Sequence, residues 1–253
     1  LNGFFLETKE GSKPPGVFPR QSLCLRGSSM SELSIMCDES DEWGKLSEYY
    51  LITLVFHDQS DDLGTHIAKY EAHLGNAGLP DIAFHAGPLL NGHGDYEGMP
   101  MRERKRLLVA FLTLVRNMPF TYVTFAHKKS EFDDNRQRFE AQLKRDLADY
   151  LLSHLERFQT YGTVKVYYDN GHVVTDALKS SISYALSKEE IVYRETCVRD
   201  YRLEQSADLL CTLELTVLKY AANTQTATDL KIFGNARAFK MNYLKAVRKK
   251  LRS

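Results

Sequence analysis

The chain has 253 residues, with 33 Lys and Arg against 33 Asp and Glu, so its formal net charge is zero; 43% of residues are apolar and 26% charged. That composition excludes wholesale disorder, which needs few apolar residues and a high net charge. It also excludes nucleic-acid binding by bulk positive charge alone, although a local basic patch remains compatible with a neutral total.

Residues 1–31 hold Pro14, Pro15 and Pro19, three of the seven prolines, and show no helical or strand period. They read as an N-terminal extension, flexible or non-native, ahead of a single domain over 32–253. The body reads as mixed α/β. Leu33–Asp38 is a short apolar strand, and Tyr49–His57, rich in β-branched and aromatic residues, is its antiparallel neighbour across an acidic turn through Asp41 and Gly44. A helical insertion over about 60–119 follows. In it, Asp61 or Asp62 caps a helix to about Gly75, and Pro100 opens a second over Met101–Arg116.

Phe120–His127 is the third strand. Phe139, Leu143, Leu147, Leu151 and Leu155 recur every four residues, which predicts one amphipathic helix over Asp134–Phe158. Thr163–Tyr168 is the fourth strand, and Ala177 to Leu186 carries a helical pattern. Ile191–Val198 is the fifth strand, and Gln205–Ala222 a further helix. A basic helix over Ala236–Leu251 closes the chain.

The four cysteines, Cys24, Cys37, Cys197 and Cys211, have no C-x-x-C spacing, so a zinc knuckle is unsupported. Cys37 and Cys211 sit in apolar runs and read as core residues, and the cysteine usage points to a reducing, cytoplasmic setting. The apolar runs Tyr49–Phe56 and Leu107–Val115 fall far short of the ~20 residues that span a bilayer, so no membrane partner is expected.

Three acids mark element ends. Asp38 closes the first strand, Asp169 the fourth, and Asp208 lies in the first turn of the helix after the fifth. If strands one and four are parallel neighbours, their carboxyl ends emerge together, where α/β sheets collect ligands. Crowded carboxylates resist ionising, and a divalent cation removes that penalty. Such ions activate water and stabilise a leaving oxygen. A strand-end Asp also serves commonly as a turn or cap residue. Asp38 and Glu39 point to opposite faces if the strand continues, whereas Glu39 is a second ligand candidate if it stops.

The ordered set C-D-E-S, F-H-A-G-P-L-L (Phe84–Leu90), Y-Y-D-N and Q-S-A-D-L-L resembles the family called domain of unknown function 3800, over roughly residues 33–250. The resemblance implies a ribonuclease H-like mixed five-stranded sheet flanked by helices, and a nuclease dependent on Mg²⁺ or Mn²⁺. Family members are often associated with bacterial and phage genomes, mobile elements and defence systems. By resemblance Asp38, Asp169 and Asp208 are the metal ligands, and Gln205 matches the family glutamine before the last acid. The family's first motif commonly reads D-E-S-G, and here Asp41 stands in place of the glycine.

His85, in F-H-A, can position a phosphate or the attacking water, or be a hydrogen-bonded loop histidine. Lys128 and Lys129 follow the third strand and can reach a scissile phosphate, or form a solvated strand end. After residue 230 the chain carries eight basic residues and no acid, with Lys240 the best phosphate contact among them. Glu32 to Asp62 holds nine acids and one base, so the zero total conceals a separation along the chain. No phosphate-loop spacing and no G-x-S-x-G elbow occur, and His57-Asp58 ends a strand where a His-Asp phosphohydrolase needs helical ligands. A nuclease acting on DNA or RNA is therefore the leading expectation. The alternative is an inactive binding module of the same fold.

Overall fold

A computed structural model describes residues 31–40, 47–133, 135–168, 176, 178–183, 191–195 and 201–252. Cys24, Cys197 and residues 1–30 lie outside these. Apolar and β-branched runs form strands β1 (Glu32–Glu39), β2 (Tyr49–Asp58), β3 (Thr121–Lys128) and β4 (Thr163–Tyr168). They make a mixed sheet in the order β3-β2-β1-β4, and Ile191–Glu195 (β5) extends it in parallel beside β4. β2 is antiparallel to β1 and β3, whereas β4 is parallel to β1.

Helices cover both faces, which is why β1 and β2 are apolar on both sides. The helices are α1 (Gly64–Ala77), α2 (Ala86–Asn91), α3 (Met101–Asn117), α4 (Arg136–Ser153), α5 (Leu155–Gln159), α6 (178–183) and α7 (Arg202–Ala222). Leu33, Ile35 and Cys37 of β1 meet Phe139, Leu143, Leu147 and Leu151 of α4. Met36 turns the other way and joins the core of α7 and the insertion, where Phe111 and Phe84 stack at 4.1 Å. The insertion therefore shares its core with α7.

Three expected spans differ. The single helix over Asp134–Phe158 starts after Asn135, whose side chain accepts from Arg138 N at 3.0 Å, and breaks at His154 (φ −114, ψ 20). There the ring Nδ1 lies 2.9 Å from the Tyr150 carbonyl. The helix expected from Gln205 begins three residues earlier, which puts Asp208 in the second turn of α7. The expected terminal helix is interrupted: after α8 (Ala227–Phe233) come α9 (Ala236–Phe239), a wide π-helical turn at Lys240–Leu244, and α10 (Lys245–Val247). Aromatic packing accompanies the break. Phe239 stacks on Tyr220 at 5.3 Å and Tyr243 sits edge-on to Phe233 at 5.0 Å.

The tail then docks on β3. Arg248 donates to Glu214 at 2.6 Å, and Tyr122 donates to the same carboxylate at 2.8 Å. Lys250 donates to the Met118 carbonyl and lies 4.6 Å from the Phe120 ring centre. Leu251 bridges to Tyr122 on the outer edge of the sheet. No helix among the described residues is long and apolar enough to cross a membrane.

Glu214 is 8% exposed, so removing its cation strands a buried charge. The Arg248 side chain is itself 41% exposed, which moderates the loss. Arg248→Ala is expected to cost about 2 kcal/mol, a fall in Tm of about 4–8 °C at this chain length. Thermal denaturation measures it, and an unchanged Tm contradicts the docked tail.

Candidate functional site

Asp38 sits at the carboxyl end of central strand β1, opposite Thr53 of β2. Strand alternation places it, like Met36, on the face that α7 covers. From α7, Asp208 approaches the same recess and is 6% exposed. Its Oδ2 accepts from Ala86 N at 2.8 Å and lies 3.0 Å from His85 Nδ1. One turn earlier, Gln205 Oε1 accepts from Phe84 N at 3.1 Å and from Arg202 Nη1 at 3.0 Å. Tyr96 completes the clamp: its hydroxyl accepts from His85 N at 3.1 Å and donates to the Ala83 carbonyl at 3.0 Å. The segment leading into α2 is thus laid on the first turns of α7, with Arg202 also pairing with Asp81 at 2.6 Å.

Electrostatic strain is concentrated at Asp38. Burial holds its carboxyl pKa well above the ordinary value of 3.8, and the negative charges of Asp208, Glu39 and Glu204 push it further. Asp38 keeps some solvent exposure as a residue, yet protein atoms crowd its carboxyl group. Burial also raises the neighbouring Cys37 thiol, and Asp38 adds to the effect. Cys37 and Cys211 are both buried free thiols, as their apolar surroundings in the sequence indicate.

The sequence-derived candidates divide clearly. Asp38, Asp208, His85 and Gln205 come together. Glu39 does not join them: β1 continues through it in register with Ile52, and its side chain accepts from the Tyr50 hydroxyl on the opposite face. Asp169 lies outside the described residues. The strand before it ends at Tyr168, paired with Cys37 next to Asp38.

Lys128 is exposed at the end of β3, opposite Tyr49. It is two strands across and four residues along from Asp38, about 16 Å away by sheet spacing. Lys129 is 9% exposed, with its backbone N–H bonded to the Glu48 carbonyl. Lys240 follows Phe239, which packs on Tyr220, twelve residues beyond Asp208 on α7 and so about 18 Å along the axis. Neither Lys128 nor Lys240 reaches the recess. The physical reason is topological: the tail runs to the outer edge of β3.

Glu204, unmarked by any motif in the sequence, is 1% exposed, and its negative charge acts on Asp38. Its signal was the four-residue spacing to Asp208, which places both on one helix face. Tyr96 and Arg202 had no motif to mark them. Among the described residues no group of three or more His, Cys, Asp or Glu is arranged to hold a metal ion. What they provide is a pair of hard oxygen donors, Asp38 and Asp208, suited in type to Mg²⁺ or Mn²⁺. No known family model matches the chain, and no curated protein matches it.

A carboxyl with a raised pKa in the folded state favours folding at low pH. That contribution is complete below the ordinary value of 3.8 and is lost as pH rises through the raised value. In chelator at neutral pH, Asp38→Asn is therefore expected to raise Tm by about 2 °C or more, the effect of about 1 kcal/mol at this length. The gain should shrink as pH falls toward the ordinary carboxylate range. Melting curves across that pH series measure it, and a lower Tm for the variant at neutral pH contradicts the crowding of Asp38.

Proposed function

We propose that this chain is a metal-dependent nuclease of ribonuclease H-like fold, acting on DNA or RNA. The observation that carries the reading is the pairing of Asp38 and Asp208 at the carboxyl end of the central strand, against the repulsion their burial creates. The strand order β3-β2-β1-β4-β5, with β2 alone reversed, supports the fold assignment. Asp38 and Asp208 would hold Mg²⁺ or Mn²⁺, with Asp169, next in the chain after Tyr168, as the third ligand. A bound ion would supply charge neutralisation at the phosphate and a more acidic water. Glu204 adds negative potential behind the pair. His85, held at Nδ1 by Asp208 and with its side chain 54% exposed, is placed to orient a phosphate or the attacking water.

A second reading has its own observation. Asp208 Oδ2 already serves Ala86 N and His85, which is what a structural carboxylate does. On that reading the chain is an inactive ribonuclease H-like binding module, and Asp208 only fastens the insertion.

Cleavage of labelled single- and double-stranded DNA and RNA, with Mg²⁺, Mn²⁺ or chelator, separates the two. The nuclease reading expects metal-dependent cleavage that Asp38→Asn and Asp208→Asn each reduce by about 100-fold or more. His85→Ala should lose about 10–100-fold. It also expects either metal to raise the Tm of the wild type and not of Asp38→Asn. Undiminished cleavage by Asp38→Asn sinks the assignment. Absence of both cleavage and metal stabilisation favours the binding module.

A further inference from the structure

We propose that the groove between α1 and α3, in the helical insertion, docks an acidic amphipathic helix of a partner protein. The groove has a volume of about 920 Å³, and its apolar lining includes Leu79 and Leu114 at the floor and Val109 on the α3 side. Leu79 and Leu114 are buried, but Val109 in the middle of α3 is 50% exposed. Cations stand on both walls, Lys69 from α1 and Arg102 and Lys105 from α3, and among the described residues no acidic side chain lines the groove. Among the described residues none of Lys69, Arg102 and Lys105 is held in an ion pair. Arg102, Lys105, Val109 and Thr113 follow one another at three- and four-residue steps, so they share one stripe of α3. That helix has 17 residues, about 25 Å of length, which accommodates about four turns of a partner.

The chemistry selects the occupant. An apolar floor between two cationic walls matches a helix with apolar anchors at i, i+3 or i+4 and i+7, flanked by acids. Single-stranded nucleic acid stacks its bases on exposed aromatic faces. Among the described lining residues the phenol ring of Tyr70 is 6% exposed and packs edge-on against Phe111, and the other rings are only the imidazoles of His66 and His73. A membrane surface takes up a protruding apolar face, whereas this one is concave.

The inference is independent of the nuclease reading. Its test is fluorescence anisotropy of the full chain with a dye-labelled designed helical peptide, Leu at three- and four-residue spacing and Glu on the flanks. Saturable binding is expected, about tenfold weaker for Val109→Glu and for Arg102→Glu combined with Lys105→Glu. It should also weaken between about 50 and about 300 mM salt. Thr113→Glu, on the same exposed stripe, stands in if Val109→Glu fails to fold by circular dichroism. Asp38→Asn should bind the peptide like the wild type, and the groove variants should match the wild type in any nucleic-acid cleavage. The proposal is overturned by a lack of saturable binding, or by binding that the groove variants leave unchanged. Tighter binding of a single-stranded oligonucleotide or of phosphatidylserine vesicles at the same groove overturns it equally.

Discussion

A helix enclosed on every side must give each polar side chain a partner, because an unpaired buried polar group costs several kcal/mol. α7 is such a helix, with nearly every residue from Leu203 to Thr216 buried. Its polar residues consequently become the joints of the fold. Gln205 and Asp208 take backbone N–H groups of Phe84 and Ala86 and so fix the insertion. Glu214, two turns further on, takes Tyr122 from β3 and Arg248 from the tail. Three parts of the chain distant in sequence are thereby fastened to one element.

Asp208 belongs to this scheme and also departs from it. Its hydrogen bonds are those of a structural carboxylate, yet it stands where its charge opposes that of Asp38. A structural role alone does not explain why a second acid is held against it at the end of β1. In the proposed nuclease, a bound cation would offset the repulsion between the two carboxylates. The insertion then has two sides with separate chemistry. Its inner side carries His85 and completes the recess. The outer side, between α1 and α3, carries the cationic groove.

The zero net charge also resolves differently in three dimensions. The basic tail suggested a phosphate-binding helix beside the acids. Arg248 and Lys250 are instead engaged with Glu214 and the Met118 carbonyl, at the outer edge of the sheet. Among the described residues, Lys69, Arg102 and Lys105 of the insertion form no ion pair and line the groove.

The sequence by itself determined most elements. β4 falls at the expected Thr163–Tyr168 because a β-branched and aromatic run bounded by turn residues has one local solution. The four-residue apolar repeat likewise marked α4, and alternation already implied that Asp38 and Glu39 diverge if β1 runs on. That β1 does run on through Glu39 depended on its pairing with Ile52, which no local pattern contains. The same holds for Asp208, whose partner Ala86 lies 122 residues away, and for Glu214, which meets Arg248 34 residues on. The break in the terminal helix accompanies aromatic contacts with Tyr220, made only once α7 is packed. Propensity and periodicity are local and so were written in the chain; burial, charge crowding and the partners of buried polar groups arise between segments, and only the tertiary structure decided them.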